Sequence, residues 1–284
     1  MRQNRSESRV KIALVQMAAT YDYDANIARA TSLVSEASER GGQIVCLPEL
    51  FYSRYFPRTK GGEQAPETIP GPTSDSLSKA AKAARVVLVG GSIYEKRGRS
   101  RYNTSVVFDE RGKMVGRYSK VHVPQDSHYY EQDYFSPGKR YTVVDTDRGK
   151  VGALICFDQW FPEAARVNRL MGAQMLFYPT SIGWVKGIDP VEGDWHEAWE
   201  AVQRGHAIAN SLVVCAANRV GVEGDMTFWG GSFVCDQFGK ILVRADDREG
   251  VYIAECDLGL GPEVEEGWGF QKLRKPATYG RIVK

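Results

Sequence analysis

Three side chains far apart in the chain could together do hydrolytic chemistry. They are a thiol, a carboxylate and an ammonium, each at its own strand-to-loop junction. Cys156 ends the apolar part of VGALICFDQWFPE, Glu49 closes GGQIVCLPEL, and Lys120 opens KVHVP after KMVGRYS. A sulfur nucleophile needs a base to take its proton and a cation to hold the oxyanion its attack creates. Cys46, Cys215, Cys235 and Cys256 sit inside apolar runs, the ordinary structural place for a cysteine. Cys156 differs, because polar Asp158 and Gln159 follow at once and Trp160-Phe161-Pro162 forces a turn. Leu47, Leu50 and Phe51 give Glu49 apolar neighbours, and desolvation of that kind raises a carboxyl pKa and suits it to accept a proton. Glu131, in the aromatic stretch YYEQDYF, can partner a buried Lys120, since a buried cation needs one.

Elements must hold these residues, and the composition limits what kind. The chain has 284 residues, 43% hydrophobic and 25% charged, enough for one large α/β domain. Its net charge of +2 gives no case for nucleic acid or an anionic membrane as partner. The basic start MRQNRSESR has no apolar core, so it does not read as a secretion signal, and no run approaches the roughly 18 apolar residues of a membrane helix. Five widely spaced cysteines suit reduced thiols in a cytoplasmic protein better than a disulfide framework. The four histidines show no ligand spacing, so no metal site is expected. Glycine-rich phosphate loops, dinucleotide fingerprints and serine elbows are absent too.

Strand and helix patterns alternate. VKIALVQM is the first strand, and a helix from Asp24 follows with Ile27, Ala30, Leu33, Val34 and Ala37 on one face. QIVCL leads to Glu49. Thr73 is placed to cap a second helix starting at Pro72, and VVLVGGSIYE and the hairpin 103–119 come next. The second half repeats the plan, with strands near 141–145 and 150–156, a helix from Pro162, the strand QMLFYP, a loop over 180–194, a helix near 195–210 and strands to residue 257. GGQIVCLP echoes GAQMLFYP, as two structurally similar halves would. The division expected is a flexible arm 1–9, one domain 10–257, and an aromatic tail 258–284 with little periodicity that packs at a subunit interface.

LPEL around Glu49, YSKVHVP around Lys120 and ALICFDQWFPEAAR around Cys156 resemble the three signatures of the nitrilase superfamily of carbon–nitrogen hydrolases. The resemblance runs from VKIALVQM to VYIAECDL. It implies an α/β fold, a four-layer αββα sandwich of two mixed sheets with helices outside, and a Glu–Lys–Cys triad at Glu49, Lys120 and Cys156. It also implies that Glu131 orients the lysine, that the backbone N–H of Phe157 helps Lys120 hold the oxyanion, that no cofactor is needed, and that copies form a homodimer or larger homo-oligomer. Arg166, in PEAAR, is expected to be structural and to pair with a carboxylate.

FYPTSIGW and QRGHAIANSLVVCAANRVG are similar to the N-carbamoylputrescine amidase branch, although Trp184 and a lengthened acidic loop depart from it. The substrate so implied is an N-carbamoyl amine, N-carbamoylputrescine above all. Asp126, Asp158, Asp189, Glu192 and Asp194 would favour a cationic tail, and Asp126, Tyr130, Trp160 and Trp184 are the candidate substrate-binding residues. Alternatives at this level are N-carbamoyl amino acids, N-carbamoyl-β-alanine, an ω-amide, or a scaffold subunit of the same fold that catalyses nothing.

Overall fold

A computed structural model describes residues 8–62, 64–188 and 190–283. In chain order the strands are β1 (Arg9–Gln16), β2 (Ile44–Cys46), β3 (Val87–Val89), β4 (Ile93–Arg97), β5 (Ser100–Phe108), β6 (Met114–Ser119), β7 (Val143–Thr146) and β8 (Gly149–Ala153). They continue with β9 (Met175–Pro179), β10 (Gly183–Val185), β11 (Val213–Ala217), β12 (Val220–Glu223), β13 (Met226–Trp229), β14 (Phe233–Cys235), β15 (Ile241–Arg244) and β16 (Gly250–Asp257). The helices are α1 (Tyr23–Glu39), α2 (Pro72–Ala84), α3 (Pro162–Leu170), α4 (Trp195–Asn210) and α5 (Leu260–Trp268).

Two mixed sheets dominate. One runs β16-β1-β2-β3-β5-β4 with β6 on β5, and the other runs β15-β14-β11-β9-β8-β7. Period-two alternation explains how they stack. Ile12 and Leu14 point into a core shared with Val151, Met175, Phe177, Val213 and Cys215 of the second sheet. Ala13 and Val15 point the other way, onto Leu33, Val34 and Ala37 of α1 and Leu77 and Ala81 of α2. Beyond the second sheet, Leu176, Val214 and Ala216 meet Ala164 and Ala165 of α3 and Trp199 and Ala207 of α4. The order is helices, sheet, sheet, helices: the αββα sandwich.

The echo between the halves extends to hydrogen bonds. The Gln43 side chain accepts from Lys11 N at 3.0 Å, and the Gln174 side chain accepts from Lys150 N at 3.0 Å. Their carbonyls accept from Val87 N and Val213 N, each at 3.0 Å. Each glutamine thus pins the start of its own strand to the neighbouring one.

Several local readings need correction. Asp22, not Asp24, caps α1, accepting from Ala25 N at 2.9 Å. Gly71 is the N-cap of α2, and Thr73 lies inside the helix. The region 180–194 contains β10, which joins β13 and β12 in a third, three-stranded sheet. Residues 258–283 are not irregular throughout, because they include α5. The last residues turn back beside α3 and α4, with Trp268, Leu273 and Ile282 largely exposed. Among the described residues no helix is long and apolar enough to cross a membrane.

Candidate active site

Glu49 follows β2 and Pro48, where the chain leaves the sheet and turns at Leu50, whose φ is 47°. Gly91 makes room for this turn, for a Cβ there would lie 2.2 Å from the Pro48 carbonyl. Arg219, just beyond β11, is fully buried and ties the turn down. Its Nη2 donates to Glu49 O at 3.1 Å and Leu50 O at 2.9 Å, its Nη1 to Ser53 O at 2.8 Å and Glu223 Oε1 at 2.6 Å, and its Nε to Ser181 Oγ at 3.2 Å. The side chain of Glu49 is thereby held on a fixed backbone.

Lys120 comes off β6, its N–H bonded to Asn103 O at 2.8 Å. The ammonium is completely buried and lies between two buried carboxylates, 2.9 Å from Glu49 Oε1 and 2.7 Å from Glu131 Oε2. Burial alone would lower its pKa, but the carboxylates of Glu131 and then Glu49 outweigh that and hold it above the usual lysine value. Two further donors fix the carboxylates. Asn103 Nδ2 reaches Glu49 Oε1 at 2.8 Å, and the Tyr55 hydroxyl reaches Glu131 Oε1 at 2.6 Å. Burial pushes the Glu131 carboxyl up to about 7, with the Glu49 charge adding to the rise and Lys120 and Tyr55 opposing it. Among the described residues Glu49 Oε2 has no hydrogen-bond partner although it is buried. That oxygen is free to take a proton.

Cys156 sits at φ 41°, an uncommon backbone for a residue with a Cβ, at the first position of a 3₁₀ turn spanning Cys156–Trp160. The turn is shaped by Asp158, which is buried and accepts from Ile155 N at 3.0 Å, Tyr118 OH at 2.7 Å and His122 N at 3.0 Å. The first intraturn bond runs from Asp158 N to Ile155 O, so the Phe157 N–H precedes it, in the first part of the turn that Cys156 starts. Sγ lies 4.0 Å from Ser181 O, and Ser181 Oγ donates to Glu49 O at 3.0 Å. One residue therefore links nucleophile and carboxylate loops. Burial and then the Glu49 charge push the Cys156 thiol well up, against the pull of Lys120. The sulfur rests as a thiol and needs a base during attack.

The structure thus brings Glu49, Lys120, Glu131, Cys156 and Phe157 to one place. It adds Asn103, Tyr55, Ser181 and Arg219, which sequence reasoning missed. The only sequence signal was Arg219 itself, a cation directly after the apolar run SLVVCAAN. Tyr129 also borders the centre, its hydroxyl 3.2 Å from Gly183 N and its ring 5.8 Å from that of Tyr55.

The substrate-binding candidates are placed less uniformly. Trp160 and Trp184 are half-buried against the apolar cluster that contains Cys156, and Trp184 lies 5.0 Å from Trp229 and 6.0 Å from Trp195 between ring centres. Tyr130 is half-buried, with Lys60 Nζ 5.0 Å from its ring centre. Asp126 is exposed and accepts from Ser127 N at 2.7 Å in its own turn. The acidic set is largely committed elsewhere: Asp158 shapes the nucleophile turn, Asp194 caps α4, and Glu192 accepts from Trp195 Nε1 at 2.8 Å. Asp189 lies outside the described residues. Arg166 pairs with no carboxylate among them, and donates instead to Ala209 O at 2.8 Å.

Comparison with known proteins agrees with this geometry. The family model for carbon–nitrogen hydrolases matches residues 11–265. An N-carbamoylputrescine amidase from Solanum tuberosum is 36% identical, over 95% of this chain and 93% of its own length. A citrullinase from Francisella tularensis is 34% identical, over 97% and 98%. The crystal structure of a carbon–nitrogen hydrolase from Helicobacter pylori G27 superposes with a TM-score of 0.91 at 35% identity, covering 97% of this chain and 99% of that one.

Proposed function

The chain belongs to the carbon–nitrogen hydrolase family and is an amide-hydrolysing enzyme, and from that premise we propose that it removes the carbamoyl group from an N-carbamoyl amine, N-carbamoylputrescine being its preferred substrate. The observation that carries the chemistry is the Lys120 ammonium clamped between Glu49 and Glu131 beside a thiol on a strained turn. Glu49 Oε2 takes the Cys156 proton as sulfur attacks the ureido carbon. Lys120 and the Phe157 N–H hold the resulting oxyanion, each such donor being worth about 3–4 kcal/mol. Glu49 then returns the proton to the leaving nitrogen, which departs as putrescine and leaves a carbamoyl thioester on Cys156. Water, deprotonated by Glu49, cleaves the thioester, and the carbamate released breaks down to ammonia and carbon dioxide. Glu131 is a positioning residue, keeping the lysine charged and aimed.

The identity of the amine rests on charge and on the relatives. The guanidinium reaching the centre, Arg219, has its donors engaged by Ser181, Glu49, Leu50, Ser53 and Glu223, so no clamp for a substrate carboxylate comes from it. Trp184, half-buried near the nucleophile cluster, suits an ammonium tail better than a carboxylate. An ammonia-release screen over N-carbamoylputrescine, N-carbamoyl-β-alanine, citrulline, ω-amides and simple nitriles tests the reading. Highest kcat/KM is expected for N-carbamoylputrescine. A higher value for any carbamoyl amino acid sinks the substrate assignment, and no ammonia from any of them favours a scaffold subunit.

The copies are further proposed to associate as a homodimer or larger homo-oligomer through the face of α3, α4 and the C-terminal segment. There Leu170, Trp268, Leu273, Ile282 and Val283 line one apolar groove, a surface larger than scattered exposed side chains make.

A further inference from the structure

A cleft of about 520 Å³ is lined by residues of β4, β5 and β6, β5 carrying Asn103 and β6 leading to Lys120. Arg97, Arg117, Lys139 and Arg140 line it together with Tyr102, Ser119, Tyr141 and backbone of 137–142, and no acidic residue does. Like charges gathered in one concavity repel, and a cleft lined by one sign focuses its field on the opposite one. Two of the four are held rigidly. The fully buried Glu95 accepts from Arg97 Nε at 2.9 Å and Nη2 at 2.7 Å, and it also pairs with Arg117. Arg97 in addition lies 4.6 Å over the Tyr102 ring and donates to Ser119 Oγ at 3.1 Å. The other two overhang that pair, because the segment bearing them is pressed onto β6: a Cβ on Gly138 would stand 2.0 Å from Ser119 O. Among the described residues Lys139 and Arg140 are exposed and without a carboxylate partner, and Arg97 Nη1 has no acceptor.

We propose that this cleft binds the phosphate monoester of a small organic molecule. With Glu95 set against Arg97 and Arg117, the four cations keep a net charge of +3. A single carboxylate brings one charge and two oxygens to it, whereas a phosphate monoester brings close to two charges and three peripheral oxygens for forked and point donors together. The volume exceeds what a phosphoryl group fills, and the Tyr102 and Tyr141 rings offer faces to the organic part. The site also touches both sides of the catalytic centre. Ser119 and Tyr102 precede Lys120 and Asn103 in the chain, and Gly138 N donates to Lys120 O at 2.7 Å. Tyr141 stacks on Tyr118, whose hydroxyl holds Asp158 in the nucleophile turn. An occupant therefore braces the backbone on which the reacting groups stand.

Isothermal titration of the full chain in a phosphate-free, low-salt buffer, with phenyl phosphate, benzoate and inorganic phosphate as probes, decides the matter. Phenyl phosphate is expected to bind saturably with one site per chain, more tightly than benzoate, and more weakly as sodium chloride is added. The Lys139→Ala/Arg140→Ala variant is expected to lose at least about tenfold in affinity with an unchanged Tm, and Arg140→Glu, also on the exposed segment, to lose it as well. No saturable heat up to about 10 mM probe, equal affinity for benzoate, or undiminished binding by the double variant each overturns the proposal. None of these outcomes bears on the amide chemistry at Cys156.

Discussion

Replacing Tyr55 by phenylalanine tests how the buried charges are set, because it removes one oxygen and little else. The ring is fully buried, and its contacts with Tyr129 at 5.8 Å and Phe228 at 6.0 Å survive the change. Burial, and then the Glu131 charge, push the Tyr55 hydroxyl well above the usual tyrosine value, so it acts as a donor at every working pH. Its 2.6 Å bond stabilises the ionised form of Glu131 more than the neutral one. A hydrogen bond to a charged group is worth about 1.5–3 kcal/mol, or about 1–2 pK units. Losing it carries Glu131 from about 7 to about 8–9. Since Glu131 must be ionised to hold Lys120, the acid limb of kcat/KM moves up by the same amount. Activity near pH 7 falls about 5- to 50-fold and recovers at alkaline pH. Stability follows the same proton. A carboxyl raised from its ordinary 4.5 to about 7 binds more protons folded than unfolded. Its contribution is therefore complete below 4.5 and is lost as pH rises through about 7. In Tyr55→Phe that decline extends further up the pH scale. pH–rate profiles with N-carbamoylputrescine and thermal unfolding across pH 4–9 read both effects. An acid limb that coincides in parent and variant would falsify the coupling between Tyr55 and Glu131.

Three other perturbations follow from the same contacts. Cys156→Ala is expected to abolish ammonia release and the covalent carbamoyl adduct seen by mass spectrometry of the parent; an adduct persisting in the variant places the nucleophile elsewhere. Arg219→Met leaves Glu223 with Tyr55 N at 2.7 Å and Arg54 at 3.5 Å but strips Arg219's bonds from the Leu50 and Ser53 carbonyls, so a loss of about 1.5–3 kcal/mol in denaturant unfolding is expected, and a loss below about 1 kcal/mol means the tether is dispensable. Trp268→Ser with Leu273→Ser is expected to lower the oligomeric state seen by light scattering, and an unchanged particle mass removes the proposed interface.

The fold and the reacting groups were legible for different reasons. Strands such as VLV and VVCAA are apolar at every position, and burial on both faces is what a sheet between a helix layer and a second sheet demands. Glu49 and Cys156 stood out because each breaks such a run at its end, and Lys120 because it opens the loop after the strand-like KMVGRYS. Asn103 and Tyr55 did not, because their roles arise from partners far away in sequence: Asn103 looks like any polar strand residue until β5 is laid beside Glu49. The acidic loop misled for a related reason. Composition counts Asp158 and Asp194 as free charge, while the folded chain uses one to shape a turn and the other to cap a helix. The third sheet escaped because strands of three and four residues hold too few periods to show alternation.

The two similar halves explain why the centre lies where it does. Equivalent glutamines, Gln43 and Gln174, lock β2 onto β1 in one sheet and β9 onto β8 in the other. Glu49 follows β2 in the first half and Cys156 follows β8 in the second, so each half carries part of the chemistry. Joining the halves requires contacts with no counterpart in the repeat. Ser181, after β9, reaches Glu49 O and faces Cys156 Sγ, and Arg219, after β11, binds Glu49, Leu50 and Ser53 in the first half. Lys120 enters from β6 and is held by a carboxylate from each of two loops. Duplication of a strand–helix unit can supply the scaffold twice. The asymmetric bonds of Ser181, Arg219 and Lys120 then turn a seam between two layers into one reacting centre.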